Sequence, residues 1–319
     1  MLPPLTFEPI FQERVWGGRR LETLFGKPLP PGQRIGESWE ISDRPGATSV
    51  IADGPLAGRD LRWLMENHAG ELLGDVPSAD GRFPWLAKLL DANEDLSVQV
   101  HPPAEVAGEL GGEPKIEAWH IAHAEPGARL IAGLKRGTTR KTFEARLGEA
   151  EFPSCLHEIP ARAGDSIFIP SGRIHTLGAG TVVFEIQQNS DTTYRVHDWN
   201  RPGLDGQPRE LHLEPALRSI DFTDLEPPAL APYWKPAGNF SLSPIAEVDS
   251  VFRIDHLRLA TAKTLPLPGR GLRLLAVTAG QLKLPALTLA PGQFALMPDC
   301  AENPSVQGEG AQFLLTQAA

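Results

Sequence analysis

Residues 164 to 175 run Gly164-Asp-Ser-Ile-Phe-Ile-Pro170-Ser-Gly172-Arg-Ile-His175. Ser166 to Ile169 has the branched and aromatic texture of a short strand, Pro170-Ser-Gly172 is a turn, and His175 stands where the next strand begins. Two segments upstream supply further polar side chains, Leu96-Ser-Val-Gln-Val-His-Pro102 and Lys115-Ile-Glu117. Alternate side chains of an extended chain share a face, so Gln99 and His101 point one way while Val98 and Val100 pack behind them. The same period puts Lys115 beside Glu117, with Ile116 turned away. Gln99, His101, Glu117 and His175 are therefore candidate ligands for one metal ion per chain. Two imidazoles, a carboxylate and an amide oxygen, without thiolate, suit Zn²⁺, the expected ion, and also Fe²⁺, Mn²⁺ or Ni²⁺. A single strand histidine is more often structural than a ligand, and only the joint pattern carries the inference.

The chain has 319 residues, 41% of them hydrophobic and 22% charged, enough for one large or two medium globular domains. No run approaches the ~18 apolar residues of a membrane span, and Met1-Leu2-Pro3-Pro4 lacks the charged and apolar regions of a signal peptide, so a cytoplasmic protein without a membrane partner is expected. The formal net charge of −10 argues against a nucleic-acid surface, which needs a concentrated basic face. An anionic small substrate remains compatible if a few cations gather locally. Cys155 and Cys300 are too far apart for a finger or redox motif and are expected as buried thiols. Nothing in the sequence sets the oligomeric state.

Proline and glycine, 31 of each, punctuate short apolar stretches throughout, which is the pattern of a mainly β protein with many turns. Helices are expected over about Arg59 to Leu73, with Leu61, Leu64, Met65, His68 and Leu72 at helical spacing and Gly74 as the stop, and over Thr142 to Leu147 and Glu214 to Ile220. His68 reads as a helix-surface residue. Strands are expected at Arg129 to Ala132, Ser166 to Ile169 and Thr181 to Gln188, where Val182, Phe184 and Ile186 alternate with Val183, Glu185 and Gln187. Gly178-Ala-Gly180 reads as a tight turn before a strand, since no helix pattern follows it. After Phe222 a proline-rich stretch, Glu226 to Pro236, reads as a surface linker. Three parts are expected: a metal-binding domain over 1–222, a linker over 223–238 and a small β module over 239–319. In the last, one hairpin is expected about Ala279-Gly280 and another about Pro291-Gly292.

The stretch from Gly164 to His175 resembles the second cupin signature, a glycine, five residues, Pro-x-Gly, two residues and a metal-binding histidine. Together with Ser97-Val-Gln-Val-His-Pro102, Lys115-Ile-Glu117 and the run from Glu185 through Tyr194-Arg195 to Asp198, it resembles the short, type I bacterial mannose-6-phosphate isomerases. Trp16-Gly-Gly18, Gly36-Glu-Ser-Trp-Glu40 and Leu86 to Ala92 extend the resemblance over most of the chain. It implies a bicupin, two β-sandwich modules with a few short helices, acting on a small phosphosugar. It also implies that Gln99, His101, Glu117 and His175 hold zinc, that Arg195 is the catalytic arginine, and that Lys115 and Glu185 line the pocket. Lys88, Ser97 and Arg201 fall where phosphate contacts are expected. The sequence departs from relatives at Pro103-Ala-Glu105 and at Ala118-Trp-His120, which bears on the pocket rim. Near the C-terminus Gly292 to Pro298 repeats a cupin-like pattern, but Asp299-Cys-Ala-Glu-Asn303 follows without Gly or His, as in a second cupin with no metal site.

Isomerisation of an aldose to a ketose passes through a cis-enediol, whose neighbouring oxygens carry negative charge. A divalent ion and a fixed guanidinium stabilise that charge. Arginine stays protonated at working pH, so Arg195 suits this task and not proton removal. For the base, Glu185, a neutral Lys115 and metal-bound water all remain open. Two other functions fit part of the pattern: an iron cupin oxygenase built on His101, His175 and Glu117, and a sugar-binding cupin without turnover. Arg195 could instead be a structural ion-pair partner of Asp191 or Asp198.

Overall fold

The turn at Pro170-Ser-Gly172 carries the chain from one β-sheet to another. In the computed structural model, which describes residues 2–302 and 304–319, the first sheet has six strands. Their order is β1 (Ile10–Gly18), β2 (Ile35–Ile41), β3 (Trp85–Ala92), β10 (Thr181–Gln188), β5 (Glu117–Ala124) and β8 (Ser166–Ile169). The second runs β11 (Tyr194–His197), β4 (Val98–Val100), β9 (His175–Leu177), β6 (Arg129–Leu134) and β7 (Leu156–Pro160). All neighbours in both are antiparallel. Met1 and Asn303, the latter closing the Asp299–Asn303 stretch, lie outside the described residues.

Strand β10 has the predicted bounds, and its alternation sorts its side chains between two environments. Val182, Phe184 and Ile186 enter the core shared with the C-terminal module, alongside Phe252, Leu274 and Phe294. Val183 faces Leu130, Ala132 and Leu177 of the second sheet. Because both faces are covered, every residue from Thr181 to Gln187 is buried. Removing the fully buried Phe184 ring would cost about 3–5 kcal/mol. Behind the second sheet Val98, Val100, Ile131 and Tyr194 pack against Phe143, Phe152 and Ala216.

The expected helices form at Leu61–Leu73, Arg140–Arg146 and Leu213–Ser219. Asp60 caps the first by accepting from Trp63 N, and Thr139 caps the second, which is why each starts a residue or two away from its predicted position. His68 sits at a kink with its ring half exposed. Gly178 to Gly180 is the expected turn into β10, with Gly180 N bonded to Ala92 O. Cys155 is buried, whereas Cys300 is only partly so.

The proline-rich stretch after Phe222 is docked on the second and first sheets, Leu225 bridging Leu134 and Leu230 bridging Ser166. Its end, β12 (Lys235–Ala237), is the edge of a third sheet. That sheet continues through β13 (Phe240–Val248), β14 (Phe252–Leu259), β19 (Gln312–Gln317), β15 (Arg273–Ala279) and β18 (Phe294–Met297). The two hairpins expected here are corrected. β15 pairs with β18, and the short strands β16 (Leu282–Lys283) and β17 (Thr288–Leu289) pair with each other inside that loop. Turn residues at Gly280 and Gly292 marked the bends correctly but not the partners. Leu275, Val277, Phe313 and Leu315 bury together in this module's own core. No described helix is long and apolar enough to cross a membrane.

Candidate active site

Register, more than strand identity, assembles the polar groups. In the second sheet Arg195, Gln99 and His175 are direct cross-strand partners on β11, β4 and β9, so their side chains form one row. In the first sheet a row of four runs Trp39, Lys88, Glu185, Trp119 across β2, β3, β10 and β5. The two sheets face each other, with Glu117 at the start of β5 and His101 just past the end of β4.

His101, Glu117 and His175 are wholly buried and offer donor atoms within 4.8 Å of one another, the one such cluster of His, Cys, Asp or Glu side chains among the described residues. His101 Nδ1 bonds to Thr192 O and His175 Nδ1 to Arg173 O, both at 2.9 Å. A backbone carbonyl only accepts, so each Nδ1 carries the proton and each Nε2 presents a lone pair to the centre. Those Nε2 atoms lie 3.3 Å from Glu117 Oε2 and Oε1 respectively. Gln99 lies beside the group, its amide nitrogen 3.2 Å from His175 Nε2. His101 Nε2 and both Glu117 oxygens are buried without a hydrogen-bond partner. Burial, with Lys115 nearby, pushes His101 down to about 3 and burial lowers His175 too, so both rings are neutral near pH 7. Burial alone would raise Glu117, but the Lys115 ammonium, 3.0 Å away, outweighs it and holds the carboxyl well below the usual carboxylate range. Neutral imidazoles, an ionised carboxylate and orphaned atoms converging on one point fit a divalent cation.

The Pro170-Ser-Gly172 turn keeps this centre in place. Gly172, with φ +84°, donates its N–H to His101 O at 2.9 Å, and a side chain there would meet Ser219 O at 3.1 Å. Arg173 clamps the same turn through two 2.7 Å bonds to Asp224. The segments bearing His101 and His175 are thereby tied together before any ligand binds.

A cavity of about 560 Å³ opens onto Gln99, Lys115, Glu185 and Arg195. Arg195 is half-buried, and its Nη1 donates to Glu210 O at 2.7 Å. Its Nε is buried without a partner, and it has no ion pair among the described residues. The alternative role as partner of Asp191 or Asp198 is not realised, because Asp198 is taken by Arg201 at 3.0 Å and Arg209 at 2.5 Å. Glu185 is pushed up by burial and by Glu117, against the pull of Lys88.

Lys88 and Ser97 line the cavity, but Lys88 is buried between Glu185 Oε1 at 3.3 Å and Glu37 Oε2 at 3.6 Å. Burial would lower this ammonium, and the two carboxylates overcome that and raise it. Glu37 in turn is held down at about 2 by Lys88 and Arg14 against its burial. Arg201 does not line the cavity; its guanidinium faces Asp198, with Glu94 at 3.7 Å. The arginine that the same loop places on the wall is Arg209, which the sequence reading did not single out, and neither did it single out Arg14 or Glu37. Charge alone could not have separated Arg209 from Arg201. The Gly36-Glu-Ser-Trp-Glu40 resemblance was the one signal for Glu37.

Residues 5–113 match the family model described as phosphomannose isomerase type I, catalytic domain. Mannose-6-phosphate isomerase ManA of Bacillus subtilis is 40% identical over 226 residues, covering 68% of each chain. The chain belongs to the mannose-6-phosphate isomerase family. The crystal structure of the mannose 6-phosphate isomerase from Bacillus subtilis superposes on 99% of this chain and 100% of its own with a TM-score of 0.88 at 29% identity. A zinc-bound mannose 6-phosphate isomerase shares the fold at 18% identity, with a TM-score of 0.78 over 100% of both chains. Within the family's bicupin fold, the chemistry-bearing rows lie between the first two sheets, and the third sheet covers the outer face of the first.

Proposed function

We propose that the protein interconverts mannose 6-phosphate and fructose 6-phosphate, and that Gln99, His101, Glu117 and His175 hold the Zn²⁺ the reaction needs. The observation that carries this reading is a convergence: two neutral imidazole lone pairs and a buried carboxylate kept ionised by Lys115 meet beside a cavity that also receives Arg195, a guanidinium with no carboxylate partner among the described residues. Held by these residues, a divalent ion would supply Lewis-acid polarisation of the sugar's carbonyl and hydroxyl oxygens. Arg195 neutralises the negative charge that grows on those oxygens as the enediolate forms. Net transfer takes the proton on C2 to C1 and the hydroxyl proton from O2 to O1. Glu185 and Lys115 are the groups proposed to carry these protons, and the raised affinity of Glu185 for a proton suits a carboxylate that must both accept and return one. On the cavity wall the phosphate would be met by the Ser97 hydroxyl and the Arg209 guanidinium, which Asp198 already orients, with Lys88 behind them and Arg201 on the other side of Asp198.

A coupled assay for fructose 6-phosphate formation, run before and after chelation with metal content measured alongside, tests the proposal. Activity that disappears on chelation and returns with Zn²⁺ is expected. A metal-loaded protein that forms no fructose 6-phosphate, or one that consumes oxygen instead, refutes it.

A further inference from the structure

Glu185 is held on both sides by its own row. Lys88 stands 3.3 Å from Oε1, and Trp119 Nε1 donates to Oε2 at 2.8 Å, the sole hydrogen bond the carboxylate receives among the described residues. The same indole meets the His175 ring edge-on, with centroids 5.4 Å apart and planes at 74°. All of these side chains are buried.

We propose that Trp119 is a positioning residue for the isomerisation: one indole fixes the plane of the Glu185 carboxylate and seats the His175 imidazole, so that both keep one relative orientation. The inference rests on the reading of Glu185 as a proton carrier in that reaction. Tryptophan suits the task because its N–H only donates and carries no charge. A hydroxyl could turn and accept a proton from the protonated acid, and a cation would add to Lys88 and Lys115. With Oε2 occupied by the indole, the proton taken from the sugar is directed to Oε1, the oxygen without a hydrogen bond. The opposite end of the row repeats the device, Trp39 Nε1 donating to Glu37 Oε2 at 2.7 Å while Lys88 lies 4.9 Å over the Trp39 ring.

The test is Trp119→Phe, which keeps a ring beside His175 and removes the donor. We expect kcat to fall about tenfold or more, as when a hydrogen bond to a charged group is lost, with KM changed less than about threefold and one metal per chain retained. Trp119→His, which restores a neutral donor, should recover part of the rate and serves if the phenylalanine variant does not fold. In a Glu185→Gln background the same Trp119→Phe change should cost less than about twofold, because the group it orients is gone. An equal proportional loss in both backgrounds would make Trp119 merely structural and overturn the inference, as would a parental kcat in Trp119→Phe. Failure of the parent enzyme to form fructose 6-phosphate would refute the function itself, and this inference with it.

Discussion

Replacing Arg195 with alanine separates a role in the reaction from a role in the fold. In the fold this side chain contributes one hydrogen bond to Glu210 O and no ion pair among the described residues. Its loss should remove about 1 kcal/mol of stability, a shift of roughly 1–2 °C in Tm for a chain of this size. In the transition state it is a preorganised, partly desolvated donor beside Gln99, in register with the proposed ligand row. Losing one such donor to developing charge lowers kcat by about 10²–10³, equivalent to roughly 2.7–4 kcal/mol. The two effects are unequal enough to be told apart on one preparation. We expect Arg195→Ala to bind one metal per chain, keep KM within a few-fold and lose at least about a hundredfold in kcat. Arg195→Lys should regain only part, since an ammonium cannot make a planar two-point contact. The assay is steady-state formation of fructose 6-phosphate from mannose 6-phosphate, with melting temperature and metal content measured in parallel. A kcat within a few-fold of the parent, or a large fall in Tm accounting for the lost rate, would refute the reasoning.

Three other outcomes are expected. His175→Ala should fold yet lose both metal and turnover, since one of four donors is gone; full metal content in the folded variant would remove His175 from the site. Arg209→Ala should raise KM for mannose 6-phosphate about tenfold or more and leave weak turnover of mannose nearly unchanged, whereas Arg201→Ala should do less; equal losses on both sugars would exclude the phosphate contact. Acid should destabilise the fold through His120 and His256, whose rings meet at 4.5 Å where the third sheet packs on the first. Burial holds these imidazoles at about 3 and about 4, so below about 6.5 the unfolded chain binds protons that the folded one does not. Stability should therefore fall as pH drops from about 6.5 towards 4. His256→Phe should show a smaller drop in Tm between pH 7 and pH 5 than the parent, and an unchanged drop would rule the pair out.

Period-two alternation was enough to tell which side chains share a face. It placed Gln99 with His101, Lys115 with Glu117, and Glu185 with Gln187, and it bounded Ser166–Ile169 and Thr181–Gln188 to the residue. Turn chemistry likewise marked Pro170-Ser-Gly172, Gly178-Ala-Gly180 and the bends at Gly280 and Gly292. These are local properties, set by backbone sterics over a few residues, and they can be written into a single stretch of chain. Which strand lies beside which is not local. The nesting of β16 and β17 inside the β15–β18 pair, the row Arg195–Gln99–His175 and the row Trp39–Lys88–Glu185–Trp119 each join residues from distant segments. The charge state of the site follows from those rows and the loop beside them: Lys88 is committed to Glu37 and Glu185, and Arg201 and Arg209 share Asp198, while Arg195 has no carboxylate partner among the described residues. Residue type announced a cation at each of these positions. Only the packed sheets decide which cations are neutralised at home, because pairing energy depends on the few ångströms and the exclusion of water that tertiary contact supplies.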